Sequence, residues 1–281
     1  MRQAHINVRL RRYGWELART GGSLLSPRPH RTTALASLPP GQSTGSFRVP
    51  ISRVTSVPGF AYSPGGWHPY IATLRECLAD PDRGYAESAL YRLHTTFCPR
   101  SVQELLLEDV AEPLAPICDW PAVYPLYDVW IVDHFQLKKS LNTHTGRPAR
   151  GAMYFGPRTF ERGSEQFAKL LGLLETVRKG DYDPQLSDDP IHGYFLVRDD
   201  EYRFVAINGN HRLAVLAVTG HTHVDVHLWD ALGVVDHDHL QHWTRRKGGM
   251  YPDGVPQQIF NRLFDGDGRT KAQNLGLLGI P

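Results

Sequence analysis

Five consecutive residues, Asn208 to Arg212, have the types and the spacing of a corner that binds an anion. The β-branched and aromatic run before them, Arg203 to Ile207, predicts a short strand, and the apolar run His211 to Val218 predicts a helix. Gly209 can adopt a positive φ where the chain reverses its direction. Asn210 is placed to be the N-cap of the helix. The stretch therefore predicts a strand, a tight turn and a helix in immediate succession.

The groups that this corner would present favour a negatively charged ligand. Amides of the first helical turn and the positive end of the helix dipole attract anions, and phosphate is the ligand that this arrangement favours most. The His211 imidazole and the Arg212 guanidinium would add further donors. We therefore predict that Asn208, Gly209, Asn210, His211 and Arg212 bind the phosphate of a cofactor. The alternative is a surface corner whose arginine lies in water.

Histidine is the second chemical signal in a chain that contains 14 of them. Around the predicted strand from Thr222 to Leu228, alternation brings His221, His223, Asp225 and His227 to one face, and "DHDHLQH" follows at residues 236–242. These residue types suit Zn²⁺ or Mn²⁺. A row of polar side chains is also what any half-exposed strand shows. We therefore assign no metal ligands to the chain.

The order of elements around the corner resembles that of a known superfamily. The segment "INGNHRLAVLAVTG" (207–220) is similar to the phosphate box of the ParB/sulfiredoxin-like superfamily, which reads dG-x-HR-x-aA-x-x-x-G. The preceding stretches, "YFGPRTFERGSEQFAKLLGLLETVRKGDY" (154–182) and "IHGYFLVRDDEYRFVAI" (191–207), fit the same pattern. The resemblance covers roughly residues 150 to 230, and as a whole it is nearest to ParB-like proteins of bacterial surface-polysaccharide loci.

The resemblance implies a small α/β core in which a nucleotide phosphate lies against the helix start that carries His211 and Arg212. Its members include partition proteins that bind CTP, sulfinic-acid reductases that use ATP, and a kinase of free serine. The implied cofactor is a nucleoside di- or triphosphate (ATP, ADP or CTP) with Mg²⁺. The implied partners are the nucleotide and a small hydroxylated molecule or glycan precursor.

The sequence departs from the superfamily pattern at two points, and these disfavour the reductase and the DNA-partition functions. The reductases have a cysteine before the histidine of the box, whereas this chain has Asn210, so the reductase mechanism lacks its nucleophile. The partition proteins continue into a helix-turn-helix, and no recognition-helix pattern follows Trp229 here.

An enzyme would also need a group that orients the hydroxyl of the acceptor. Glu161 and Glu165, at the start of the predicted helix in "FERGSEQF", are our candidates for this catalytic role. The serine kinases of the superfamily have an acidic residue in this general region, and the assignment transfers by region only. A glutamate in a first helical turn is also favoured by the helix dipole alone.

Composition points to an ordinary globular chain. The 281 residues are 41% hydrophobic and 21% charged, the net charge is +2, and no apolar run is long enough to span a membrane. The three cysteines follow no metal or disulfide spacing and no signal peptide is visible, so we expect a cytoplasmic location. The first 53 residues contain nine arginines and one acidic residue, so nucleic acid is a candidate partner there. A disordered extension would have the same composition.

The fold class that we predict is α/β (α+β), with a small mixed-sheet ParB/sulfiredoxin-like core and an N-terminal helical subdomain. Apolar spacing predicts helices at 70–79, 86–97 and 164–178, a short helix from Ser101, and a hairpin through Asp199-Asp200. The predicted organisation has four parts: a basic, partly flexible segment (1–50), a helical and Pro/aromatic-rich subdomain (51–149), the core (150–232), and a C-terminal helix and tail (233–281).

Three functions fit these observations. The first is a nucleotide-dependent phosphotransferase, in which His211 and Arg212 bind phosphate and a nearby glutamate is the base. The second is a binding module that a nucleotide gates without turnover. The third is a DNA-associated ParB-like protein that uses the basic N-terminal segment.

Overall fold

The computed structural model describes residue 38 and residues 46–97, 158–183, 190–228, 234–240 and 254–278. These residues form six strands: β1 (Ser46–Pro50), β2 (Val54–Ser56), β3 (Ile191–Arg198), β4 (Glu201–Ala206), β5 (His223–Leu228) and β6 (Val234–Asp236). They form six α-helices: α1 (Pro69–Ala79), α2 (Ala89–Thr96), α3 (Phe160–Lys179), α4 (Asn210–Val218), α5 (Val255–Asp265) and α6 (Arg269–Asn274). The predicted helix from Ser101, the proline- and aromatic-rich stretch, and nearly all of the basic N-terminal segment lie outside the described residues.

The strands form one mixed sheet, which confirms the predicted fold class. Its order is β1-β5-β3-β4-β2, and β6 pairs with β3. The pairs β1–β5 and β3–β4 are antiparallel, whereas β2–β4, β3–β5 and β3–β6 are parallel. Strand β3 is long enough to pair with β5 through its first residues and with β6 through its last ones. The predicted hairpin is confirmed, and Asp199 occupies the left-handed region in its turn, with φ 54°.

Helices α1, α3 and α4 contact one another through apolar side chains that also pack on one face of the sheet. The predicted stripe of α3 is confirmed, because Leu170 and Leu174 are buried in this core and Leu171 and Val177 pack against it. Gly180 ends the helix in the left-handed conformation, as predicted, with φ 81°.

The other face of the sheet is buried as well. Tyr194, Leu196 and Val205 alternate away from the first core and are 0% exposed. Arg203 shares their face, and its Nε donates to the carbonyl oxygen of Phe264 in α5 at 2.8 Å. Helix α5 therefore lies on this side of the sheet. Among the described helices, none combines the length and the apolar character that crossing a bilayer requires.

Candidate functional site

The corner between β4 and α4 has the predicted shape, with one correction. Gly209 has φ 75°, in the left-handed region, as the sequence predicts. Gly209 itself is the N-cap, and Asn210 is the first residue of α4, so the assignment of Asn210 as N-cap is wrong. The side chain of Asn210 is engaged elsewhere, because its Oδ1 accepts a hydrogen bond from the Tyr62 hydroxyl at 2.6 Å. A Cβ on Gly209 would lie 2.7 Å from Cγ1 of Ile191, so the corner passes close to β3.

Hydrogen bonds to a single residue of β3 fix the position of the corner. The amides of Ile207 and Asn208 donate to the carbonyl oxygen of His192 at 2.9 and 3.3 Å. In return, the His192 amide donates to Oδ1 of Asn208 at 2.6 Å. The side-chain oxygen of Asn208 therefore serves the fold, and this loop is held in place before any ligand arrives.

A cavity of about 700 Å³ lies beside the corner. This volume is in the range of small-molecule sites, which is roughly 300 to 1,000 Å³. The residues that line it come from the 56–60 loop, from α1, α2 and α3 or the residues just before them, from strands β3, β4 and β5, and from the corner itself: Ser56, Val57, Pro58, Phe60, His68, Pro69, Tyr70, Leu93, His94, Arg158, Gln166, His192, Ala206, Ile207, Asn208, Gly209, Asn210, His211 and Leu228. Of these described lining residues, none is acidic, and Arg158 supplies a positive charge.

Aromatic stacking holds two histidines of the cavity. The ring of Tyr62 stacks on His68 with centroids 4.2 Å apart, and Tyr70 stacks on His211 at 4.6 Å and 18°. His68 is also the N-cap of α1, where its Nδ1 accepts a hydrogen bond from the Tyr70 amide at 3.2 Å. Stacked and bonded rings have little freedom, so these imidazoles are held in fixed orientations.

Three of the histidines that line the cavity, His68, His94 and His211, are uncharged near neutral pH. Burial, with a smaller contribution from His211, lowers the pKa of His68 to about 3. Burial and the nearby charge of Arg158 lower the pKa of His94 to about 4. Burial, followed by the charges of Lys169, Arg158 and Arg212, lowers the pKa of His211 to about 4. Each ring therefore has one N–H donor and one acceptor nitrogen.

The protein itself takes up the acceptor atoms of several lining side chains. Oδ1 of Asn210 accepts from Tyr62, and Oε1 of Gln166 accepts from the Tyr70 hydroxyl at 3.4 Å. Nδ1 of His68 accepts from a backbone amide, so its hydrogen is on Nε2. The lining also includes Nε2 of His68, which donates, the amides at the start of α4, and the positive charge of Arg158. Such a lining suits a ligand group that only accepts hydrogen bonds and carries negative charge.

The structure brings together only some of the residues predicted for the site. Asn208, Gly209, Asn210 and His211 line the cavity. Arg212 is not among the lining residues, and its side chain hydrogen-bonds to Tyr182, but its Nη2 stays beside the corner, 3.3 Å from where a Cβ on Gly209 would lie.

Glu161 and Glu165, the predicted catalytic residues, are exposed and are likewise outside the cavity lining. An ion pair of 3.7 Å joins Glu165 to Arg162 on the surface of α3.

Sequence reasoning missed His68, His94, Arg158 and Gln166 as site residues. Arg158 and Gln166 lie within the stretch 154–182 that resembles the superfamily, but no spacing there marks them as ligands, and only the fold brings the four residues together. For His68, the available signal was the His68-Pro69 pair ahead of an apolar helical pattern, which is typical of a helix start. Within the described residues, no three His, Cys, Asp or Glu side chains are grouped closely enough to hold a metal ion.

Comparisons with protein-family models, with curated proteins and with solved structures find no match for this chain. The resemblance to the ParB/sulfiredoxin-like superfamily therefore stays a prediction.

Proposed function

We propose that this chain binds a phosphorylated small molecule in the cavity beside α4, with a nucleoside di- or triphosphate as the first candidate. One observation carries the proposal: the described lining presents N–H donors and the Arg158 guanidinium and contains no carboxylate. A phosphate has only acceptor oxygens and carries negative charge, so its chemistry complements this lining. The volume of about 700 Å³ also leaves room for the sugar and the base of a nucleotide.

The superfamily resemblance supports the same ligand class. It implies ATP, ADP or CTP at the helix start of His211, in a protein that acts on a small hydroxylated substrate or glycan precursor. Mg²⁺ would arrive with the nucleotide, since this ion commonly keeps several waters and binds through substrate phosphates. The described lining offers it no carboxylate ligand. We therefore assign the phosphate-binding role to the residues of the chain and no metal-ligand role.

An isosteric substitution tests the binding proposal. In Asn210→Asp, Oδ1 can still accept the Tyr62 hydroxyl, but a negative charge replaces the donor of the amide. Affinities for ATP, ADP, CTP, GTP and pyrophosphate would be measured by calorimetry, with adenosine as the uncharged comparison. Loss of a charge-assisted hydrogen bond predicts a roughly 10- to 100-fold weaker phosphate affinity in this variant.

The matched control is Gln258→Glu, which introduces the same charge at an exposed position of α5. This variant should bind within about twofold of the unmodified chain, because a solvated surface charge is largely screened. Equal binding by the unmodified chain and Asn210→Asp would overturn the proposal. So would a failure of every phosphate ligand to bind the unmodified chain.

A phosphotransferase activity is the second candidate, and His211 is the observation that favours it. Its imidazole is neutral, it lines the cavity, and Tyr70 holds it in place by stacking. A neutral imidazole can accept the proton of an attacking hydroxyl, a role for which Glu161 and Glu165 lie outside the lining. Appearance of ADP from ATP in the presence of hydroxylated substrates, lost in His211→Gln, would establish turnover. Binding without turnover would favour the nucleotide-gated module.

The third reading, a DNA-associated protein, depends on the basic N-terminal segment. Binding to duplex DNA that weakens steeply with salt and is lost when residues 1–37 are removed would support it.

A further inference from the structure

His94 and Arg158 are neighbours in a part of the cavity that lies outside the β4–α4 corner. His94 belongs to α2, and Arg158 precedes the first residue of α3 by two positions. The amide of Arg158 donates to the carbonyl oxygen of His94 at 3.3 Å, and both side chains line the cavity. Their proximity is also electrostatic, because the charge of Arg158 lowers the pKa of His94.

Tyr85 fixes which nitrogen of His94 carries the hydrogen. Its hydroxyl lies 2.8 Å from Nδ1 of His94. Burial raises the pKa of Tyr85 to about 12, so the hydroxyl keeps its hydrogen, and it forms no other hydrogen bond to a described residue. The hydroxyl therefore donates to Nδ1, and the neutral ring carries its own hydrogen on Nε2. Nε2 has no hydrogen-bond partner among the described residues.

The surroundings of Tyr85 hold it behind His94. The carbonyl oxygen of Tyr85 accepts from the Ser88 hydroxyl at 2.7 Å, and its ring meets Phe160 edge-on at 5.4 Å between centroids. Helix α3 reaches the tyrosine through Gly163, where a Cβ would lie 1.7 Å from the phenolic oxygen. Tyr85 does not line the cavity, so it acts through the histidine in front of it.

We propose that His94 and Arg158 form a second subsite of the cavity, which takes a second oxyanion of the bound small molecule, and that Tyr85 is its positioning residue. The inference rests on the proposed phosphate-binding function and specifies the ligand class. The ligand carries one oxyanion at the start of α4 and another at His94 and Arg158. His211, at the start of α4, lines the same cavity as His94 and Arg158, so one compact molecule can reach both places.

The donors of the subsite explain why it would prefer an oxyanion. An N–H of fixed position and a guanidinium together offer donors and positive charge, and a phosphoryl or carboxylate group accepts both kinds of bond. Such a group could be a second phosphate of the same ligand or the carboxylate of a separate co-ligand. AMP, ADP, and AMP with added acetate or lactate distinguish these two sources.

Binding of these ligands to the full chain and to four variants tests the proposal. In Arg158→Gln, the affinity for ADP should fall about 10- to 100-fold, and that for AMP, which loses only the more distant charge of Arg158, should fall by a smaller factor, so that the AMP-to-ADP affinity ratio rises. Tyr85→Phe removes the hydrogen bond to His94 and should lower the affinity for ADP about three- to tenfold. Arg162→Gln, at an exposed arginine of α3, and Tyr91→Phe, whose ring contacts Tyr85 without a hydroxyl bond to His94, are the matched controls.

A spectroscopic readout separates positioning from a general loss of structure. The ¹⁵N chemical shifts of His94 should show hydrogen on Nε2 in the unmodified chain and in Tyr91→Phe, and a mixture of tautomers in Tyr85→Phe. If acetate or lactate binds next to AMP and Arg158→Gln abolishes it, the second oxyanion comes from a co-ligand.

Two results would overturn the subsite. One is an AMP-to-ADP affinity ratio that Arg158→Gln leaves unchanged, and the other is a His94 ring with hydrogen on Nδ1. Either can occur while phosphate binding remains sensitive to Asn210→Asp, in which case the proposed function stands and only the subsite fails. Absence of any phosphate binding would remove both.

Discussion

The histidines of the cavity and those near β5 are the same residue type, but the fold gives them different surroundings. His68 and His94 are each 3% exposed, and each Nδ1 accepts a hydrogen bond from a tyrosine, through its amide or its hydroxyl. His221 and His223 are exposed, and their nearest polar partners are the hydroxyls of Thr219 and Thr222, each at 3.0 Å. Because His68 and His94 are buried and bonded to fixed partners, both rings are neutral, and the nitrogen that donates a hydrogen bond is known. The number and spacing of histidines, which are most regular near β5, do not reveal this difference.

Acidification should have the largest effect on the stability of the protein, because the cavity histidines are buried in the neutral state. The folded pKa values of His68 and His94, about 3 and 4, lie below the unfolded value near 6.5, so the unfolded chain binds more protons once the pH falls below 6.5. Stability should therefore decrease from pH 7 to pH 5, by about 1 to 2 kcal/mol for each of these histidines. His211 contributes in the same direction. Urea unfolding at the two pH values measures the loss.

Repeating that titration in the double variant His221→Gln, His223→Gln tests whether the exposed histidines contribute to the pH dependence. Both residues are exposed, so the pH dependence should be preserved. A free energy of unfolding that is equal at pH 7 and pH 5 would contradict the neutral state of the cavity histidines. If the pH dependence disappears in the double variant, then His221 and His223 cause it, and the cavity histidines do not.

Gly163→Ala should give the next largest effect, because it displaces the tyrosine that holds His94. The new methyl group would lie 1.7 Å from the phenolic oxygen of Tyr85 and 2.2 Å from its Cζ. Overpacking of this kind costs about 1 to 3 kcal/mol. The same substitution at Gly172 of the same helix meets no atom within 4 Å, so it should stabilise by about 0.5 to 1 kcal/mol through helix propensity. Thermal unfolding that changes in the same direction in both variants would refute the role of Gly163.

Local patterns predicted much of the fold. The stripe of α3, its glycine end, the β3–β4 hairpin and the turn at Gly209 are all features of residues near one another in sequence, where periodicity and backbone preference are sufficient. The pairing of β1 with β5 and of β2 with β4 joins residues more than 140 positions apart. No local pattern contains that information.

The site was predicted only as far as it is local. The corner from Asn208 to His211 is a continuous segment, and it does line the cavity. Arg158 and His94 come to the same cavity from separate elements, whereas Arg212, beside the corner in sequence, bonds to Tyr182. The direction of a side chain on a helix depends on its tertiary neighbours, which the sequence of the corner does not contain, and the predicted role of Arg212 stays a prediction.

Tyr62→Phe should have a smaller effect than either change above. It removes the hydroxyl that donates to Oδ1 of Asn210 and retains the buried ring that stacks on His68. The expected loss of stability is about 0.5 to 1.5 kcal/mol, the usual contribution of one hydrogen bond. Tyr202→Phe is the control, because the hydroxyl of Tyr202 has no hydrogen bond to a described residue. Equal unfolding midpoints for both variants would show that the bond to Asn210 contributes nothing.

His223→Gln should have the smallest effect of all. His223 is exposed, its one side-chain hydrogen bond goes to the neighbouring Thr222, and glutamine can form an equivalent bond. We expect a change in stability within about 0.5 kcal/mol, as for most surface substitutions, and unchanged affinity for ADP. A loss of phosphate binding in this variant would mean that the strand histidines, and not those of the cavity, contact the ligand. Calorimetry on His223→Gln beside His94→Gln makes this decision directly, because the two substitutions are chemically identical and differ only in where the fold places the imidazole.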